Sequence, residues 1–273
     1  MNSTLGLAQL IMCDRLKAGR MMVIWPLLAM FILFSSWGLS DPKVNLSFGL
    51  TIDSAYDVMY ASTAFIIFSA TLGAVLISFD GISRDRISGV LELKLSQPIS
   101  RSKQAYSMVI GHSMAIIIPV TGLNLIAIMI IRYRLGEFPS IYEYSVYTVS
   151  TGLLLIWYTS IQLLASSYAR DMGSSIAVGL GVWMTFTLLW LVMTTVVAGL
   201  MDISVTDLNS SEYIRIESIM DLFSPNGVYH HLLEMNLDGF ERHISPIAPF
   251  FAAALWSVVP IELFRKKMES MHP

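Results

Sequence analysis

Residues 106–131 read YSMVIGHSMAIIIPVTGLNLIAIMII, 26 consecutive positions without Asp, Glu, Lys or Arg. As an α-helix this stretch is about 39 Å long, and about 20 apolar residues suffice to cross the hydrocarbon core of a bilayer. Stretches of similar character recur at about 21–39, 58–79, 145–168, 174–200 and 246–264. The expectation is an all-α membrane protein: one domain over residues 1–273 with six transmembrane helices.

Composition agrees. Of 273 residues, 55% are hydrophobic and 14% charged, whereas soluble domains carry about 25% charge. A soluble fold of this length has too much surface to cover with so few charges, and disorder requires the opposite composition. The net charge of −3 gives no footprint for nucleic acid. The single Cys13 excludes an internal disulfide and any multi-cysteine metal site. The apolar run Met21–Phe34 follows an amphipathic lead-in and is followed by Ser35-Ser36-Trp37-Gly38 rather than an A-x-A site. It reads as an uncleaved helix rather than a signal peptide.

Charge sets the orientation. With the N-terminus inside, the cytoplasmic segments hold twelve of the 17 Lys and Arg residues. They carry +6 against −8 outside, with Glu262 inside the last span. The excess of Lys and Arg on one side is the diagnostic feature. Six spans then leave both termini cytoplasmic in a multi-pass protein of the cell membrane.

The connections differ in size. Ala169-Arg170-Asp171-Met172-Gly173 makes the fourth and fifth spans antiparallel neighbours, whereas about 80–105 and 201–245 are long and polar. Residues 4–19 alternate Leu5, Leu7, Leu10, Ile11 and Leu16 with Gln9, Asp14, Arg15 and Lys17, a spacing that suits an amphipathic helix in the interface, or one docked on a partner. In the loop after the second span, Asp80 to Arg86 is charged, Val90 to Leu95 is mostly apolar, and Pro98 ends any helix. Ser100 or Ser102 can cap the third span.

The block Asp80–Arg101 resembles the signature of type-2 ABC transporter permeases. Asp85-Arg86 stand for that family's charged cluster, Gly89-Val90-Leu91-Glu92 for Gly-Thr-Leu-Glu, and Gln97-Pro98-Ile99-Ser100-Arg101 for its end. Val90 replaces the usual Thr and Lys94 interrupts the Leu run. Within the family, Gly111-His112, Gly179-Leu180-Gly181-Val182-Trp183 and Ser224-Pro225 with Tyr229 are most similar to the permeases of nitrous-oxide-reductase maturation systems.

The resemblance implies a membrane subunit of an exporter in which a cytoplasmic coupling helix packs on a separate ABC ATPase. Two copies of each subunit would assemble, the second permease being the same chain or a homologue, surrounded by membrane lipid. The chain has no G-x-x-x-x-G-K-[ST] loop, so it is not itself an enzyme for ATP. It binds no cofactor of its own, and ATP and Mg belong to the partner. Val90, Leu91, Leu93 and Leu95 are expected to fill the ATPase groove and Arg84, Arg86 and Glu92 to set register, with Arg170 and Asp171 adding contacts.

Small residues four apart (Ser69 with Gly73, Ala70 with Ala74, Ser175 with Gly179, Ala177 with Gly181) let helices approach closely, either between copies or inside one. Trp183, Phe186 and Trp190 fall on one helical face and, with Phe65 and Phe68, are candidates to line an apolar translocation cleft or the dimer interface. His112, Asn124 and Gln162 are polar groups inside spans, hence functional candidates or interhelical hydrogen bonds. Glu262 is expected to pair with Lys266. Outside, Asn209 and Glu212 stand at capping-box spacing, and two short helices are expected at the outer surface. His230, His231, Met235 and His243 suggest copper or zinc, but the methionines are spread through the spans as filler and no metal site is assigned. Two further classes fit the composition, a membrane scaffold for maturation of an extracytoplasmic enzyme and an intramembrane enzyme; no H-E-x-x-H or nucleophile–base spacing supports the latter.

Overall fold

The computed structural model describes residues 3–41, 52–204, 207, 210–237 and 244–271. Its described residues form helices joined by turns and short connections, without strands. In order they form α1 (Ser3–Leu16), α2 (Met21–Leu39), α3 (Ala55–Ala61), α4 (Thr63–Ser78), α5 (Ser83–Ile87), α6 (Val90–Leu95), α7 (Arg101–Leu135) and α8 (Ile141–Tyr168). Then come α9 (Met172–Met184), a π-helical turn (Thr185–Leu189), α10 (Trp190–Leu200), α11 (Ser211–Asp221), α12 (Pro225–Glu234) and α13 (Ala248–Glu269).

Six helical segments are long and apolar enough to span a membrane: Met21–Leu39, Thr63–Ile87, Arg101–Leu135, Ile141–Tyr168, Met172–Leu200 and Ala248–Glu269. The expected second span divides. Ser54 and Asp57 form a capping box at the start of α3, and the chain restarts as α4 after Ser62. The third span runs five residues further at its start, because α7 begins at Arg101. Ser100 stands at that N-cap but makes no side-chain bond, and Ser102 instead donates to Glu269.

Burial ranks the spans. The window in Thr63–Ile87 is 72% buried and that in Met172–Leu200 only 11%, so α4 is central and α9–α10 peripheral. Ile24, Leu28 and Ile32 of α2, Ile66, Ala70 and Ala74 of α4, Ile116 and Val120 of α7, and Leu154, Trp157 and Tyr158 of α8 form the core. Lipid is as apolar as these side chains, so close packing rather than water exclusion holds the bundle together.

Two glycines show this. A Cβ at Gly179 would lie 1.5 Å from Gln162 Oε1, and one at Gly111 would lie 2.7 Å from the Ala8 carbonyl of α1. Gly111 therefore lets α1 lie directly on α7, where Ser107 Oγ also donates to the Thr4 carbonyl at 2.8 Å.

At the end opposite α1, α11 starts at Ser210, whose hydroxyl accepts from Tyr213 N–H, so the cap is Ser210 rather than Asn209, which lies outside the described residues. The two expected short helices exist, and α12 packs into the bundle. Val228, Tyr229 and Leu233 are fully buried against the bundle. Tyr229 exchanges a hydrogen bond with Thr151, and Tyr158 donates to Asn226 Oδ1 at 3.0 Å. Its apolar face finds α8 and α13 instead of solvent.

Candidate functional site: the loop end of the bundle

The loop after α4 is held from three directions. Asp80 is 3% exposed. It accepts from Arg15 and, at 2.6 Å, from Arg20, with Arg84 3.8 Å away. Arg20 also donates to the Leu76 carbonyl at 3.0 Å and lies over the Phe79 ring. A carboxylate buried at a span end needs such partners. Next, the Ile82 and Ser83 N–H groups both donate to Ser166 Oγ at 3.1 Å. Finally, Arg86 donates to the Ala169 carbonyl and, at 2.7 Å, to that of Ser167. These carbonyls, at the C-terminal end of α8, lack helical donors.

Gly89 adopts φ +71, the left-handed turn that breaks α5 from α6. Lys94 pairs with Asp85 at 2.5 Å across that turn, and Gln104 Nε2 donates to the Lys94 carbonyl at 3.0 Å. The residues expected to meet an ATPase divide accordingly. Val90, Glu92 and Leu93 are exposed, Leu93 at 68%. Leu91 is half-buried, and Leu95 packs with Ala105, Val109, Leu163 and Phe264 inside the chain. Arg84 is exposed, whereas Arg86 is committed to α8. Arg170 and Asp171 are exposed beside Ala169, and Asp171 caps α9 by accepting from Ser174 N–H at 2.7 Å.

The same end of the bundle gathers the last helix. Glu262 accepts from Tyr106 at 2.5 Å and from Arg265 Nε at 2.8 Å, so its partner is Arg265 and not Lys266. Residues three apart face each other as well as residues four apart do, and Tyr106 on α7 occupies the other carboxylate oxygen.

The candidate cleft residues form two groups. Phe31 meets Phe68 in a tilted contact and Phe68 meets Trp183 edge-on, with Phe65 6.3 Å from Phe31, and Trp183 donates to Thr71 Oγ1 at 2.8 Å. Phe186 instead contacts Trp190 and Trp256, and Trp190 donates to Asp221 Oδ1 at 3.0 Å. The π-helical turn divides the expected single face, since an extra residue in one turn rotates the remainder of the helix about its axis. Its Phe186 carbonyl accepts from Asn226 Nδ2 at 3.0 Å, a role for Asn226 that no periodicity signals.

The small-residue pairs separate too. Ser69 and Gly73 are buried inside the chain, Gly73 against Ile116 and Ile24. Ser175 accepts from Gln162 and donates to the Phe79 carbonyl, and with Gly179 it packs on α8. Ala177 and Gly181 face outward, with nothing within 4 Å of a Cβ at Gly181.

At the opposite end of the bundle, His231 bonds Glu234 at 3.0 Å and the Ser218 carbonyl at 3.1 Å, and Tyr60 donates to Glu234 at 3.1 Å. Burial pushes the Asp221 carboxyl up to about 6. Burial would also raise Glu234, but the His231 hydrogen bond and charge outweigh it and hold the carboxyl below its usual range. His231 is raised by Glu234 against the effect of burial. Among the described residues no three His, Cys, Asp or Glu side chains could hold a metal ion; His243 lies outside those residues.

No match was found among curated proteins. Residues 15–264 match the model of the ABC-2 family transporter proteins, a region that includes all six spans or most of each and the whole loop from Asp80 to Arg101. The chain therefore belongs to the ABC-2 family of transporter proteins and is a membrane permease subunit of an ABC transporter.

Proposed function

We propose that the chain is the permease half of an exporter, with two copies working beside two copies of a separate ATPase that carries ATP and Mg. One observation supports this reading above the others: α6 presents Val90, Glu92 and Leu93 outward from a loop whose other side is bonded to α1–α2, α8 and α7. An exposed apolar element on a rigid mount is a docking surface rather than a solvated connector. Force on α6 then reaches α4 through Asp80 and α8 through Arg86. The excess of Lys and Arg at this end supports reading it as the cytoplasmic side of the cell membrane. The outward face of α9–α10, with Ala177 and Gly181, meets the second copy. The likeness to nitrous-oxide-reductase maturation permeases rests on sequence cues alone and adds no substrate to the reading.

Co-purification tests the assignment. Leu93→Asp is expected to abolish capture of the ATPase and stimulation of its hydrolysis while leaving the permease folded. Retention of both would remove α6 from the interface. Transport in proteoliposomes, with a hydrolysis-dead ATPase as control, gives the direction and separates an exporter from a scaffold.

A further inference from the structure

A cavity of about 650 Å³ opens between α1, the α5–α6 loop and α7. It has two chemical sides. Leu7, Leu10 and Met108 form an apolar wall, and Arg15, Arg20 and Arg84 a cationic one. His112 lines it as well and is 1% exposed. Its Nδ1 is bonded to the Met108 carbonyl at 2.8 Å, but Nε2 is buried with no partner. A buried polar atom left without a hydrogen bond is costly and in need of an explanation. Gly81, also in the lining, packs closely here: a Cβ there would lie 2.6 Å from Leu163 Cδ2 and 3.4 Å from Nε2.

The charges do not cancel. Lys94 and Asp85, both in the wall, neutralise each other. Arg15, Arg20 and Arg84 share the single buried Asp80, and Asp14 is an exposed carboxylate at the rim. One positive charge remains, and Arg84, with its side chain 67% exposed, is free to turn towards an anion.

Position names the ligand. Arg20 directly precedes the span that begins at Met21, and Arg84 stands in the last turns of the segment ending at Ile87. Cations at span ends lie where phospholipid headgroups lie. Leu10, at 66% exposed, continues the apolar wall out of the cavity. We propose that this cavity binds one anionic phospholipid, its phosphate at Arg84 and Arg20 and the start of its acyl chains along Leu7 and Leu10. A free phosphate leaves the apolar wall uncovered, and a neutral lipid leaves the positive charge unanswered. The volume lies within the range of pockets that hold small molecules. It seats a headgroup and the first part of the chains, with the remainder in the bilayer. The proposal does not depend on α6 docking an ATPase.

Native mass spectrometry of the full chain, purified in detergent and titrated with phosphatidylglycerol, phosphatidylcholine or inorganic phosphate, tests it. One phosphatidylglycerol is expected to be retained about tenfold more strongly than phosphatidylcholine. Arg84→Gln should erase that preference, and Leu10→Gln should weaken both lipids alike. Both side chains are mostly exposed, so the variants keep the fold, which an unchanged melting temperature verifies. Equal retention of the two lipids, displacement of phosphatidylglycerol by inorganic phosphate, or indifference to both substitutions each overturns the proposal: the first and last mean annular lipid, the second a site for a free anion.

Discussion

Arg20 and Asp80, 60 positions apart, meet at 2.6 Å, and the same guanidinium reaches back to the Leu76 carbonyl at 3.0 Å. The turn between α1 and α2 is thereby bonded to both sides of the point where α4 ends. With Arg15 on the other carboxylate oxygen, Asp80 joins three elements that no local rule would bring together. Arg20 and Arg15 remain about one-fifth exposed, so removing the carboxylate strands them less severely than a fully buried pair. Asp80→Asn should cost about 2–3 kcal/mol, read by thermal unfolding in detergent. In a double-mutant cycle, Arg20→Gln with Asp80→Asn should show a clear coupling energy.

Leu93 and Leu95 are two positions apart on α6 and should behave oppositely. Leu95 is 7% exposed among core residues. Leu95→Asp buries an unpaired charge and should lower stability by several kcal/mol. Leu93→Asp lies on an exposed face and should change it by less than about 0.5 kcal/mol. Melting curves of the two variants separate a surface built for contact from one built for folding.

Gly179 has no room for a methyl group while Gln162 keeps its place. Gly179→Ala should therefore destabilise by about 1–3 kcal/mol. Gln162→Ala in the same background should return most of the loss, because the clashing amide is gone. Absence of rescue would mean that α9 approaches α8 for another reason.

Asp221 makes stability pH-dependent. Its carboxyl titrates near 6 when folded, against an ordinary value of 3.8. The folded state then binds more protons between these values, so stability falls as pH rises through them. His231, raised when folded, contributes in the same sense at higher pH. The Asp221 part amounts to about 3 kcal/mol. Asp221→Asn keeps an acceptor for the Trp190 indole and should raise the melting temperature at pH 7 but not at pH 4.

Gly181 should report on assembly. Its surroundings are open in a single chain. With Cys13 replaced by Ser, Gly181→Cys should cross-link two copies in the membrane under oxidation, since disulfides form only where Cα atoms come within about 7 Å. A cysteine at Gly73, enclosed by Ile116 and Ile24, should not.

The spans, their number and the special loop were legible because lipid imposes a length and a composition on each helix independently of its neighbours. The chain's membership in the ABC-2 family was legible in residues 80–101 for a similar reason, as that loop is contiguous. The site within the bundle was less so. Leu91 to Leu95 read as one apolar stretch, yet Leu95 turns inward and Leu93 outward. Trp183 and Trp190 read as one face, yet a π-helical turn divides them.

The sequence by itself determined an all-α protein of six spans, the asymmetry of its charges and the identity of the loop, because hydrophobic length and charge are properties summed along the chain. Only the tertiary structure decided that Asp80 answers Arg15 and Arg20, that Arg86 is committed to the end of α8, that Glu262 takes Arg265, and that α12 is packed within the bundle. Each of these is a choice among several chemically acceptable partners, and the choice depends on which helix ends the packing of α2, α4, α7 and α8 brings within hydrogen-bond reach.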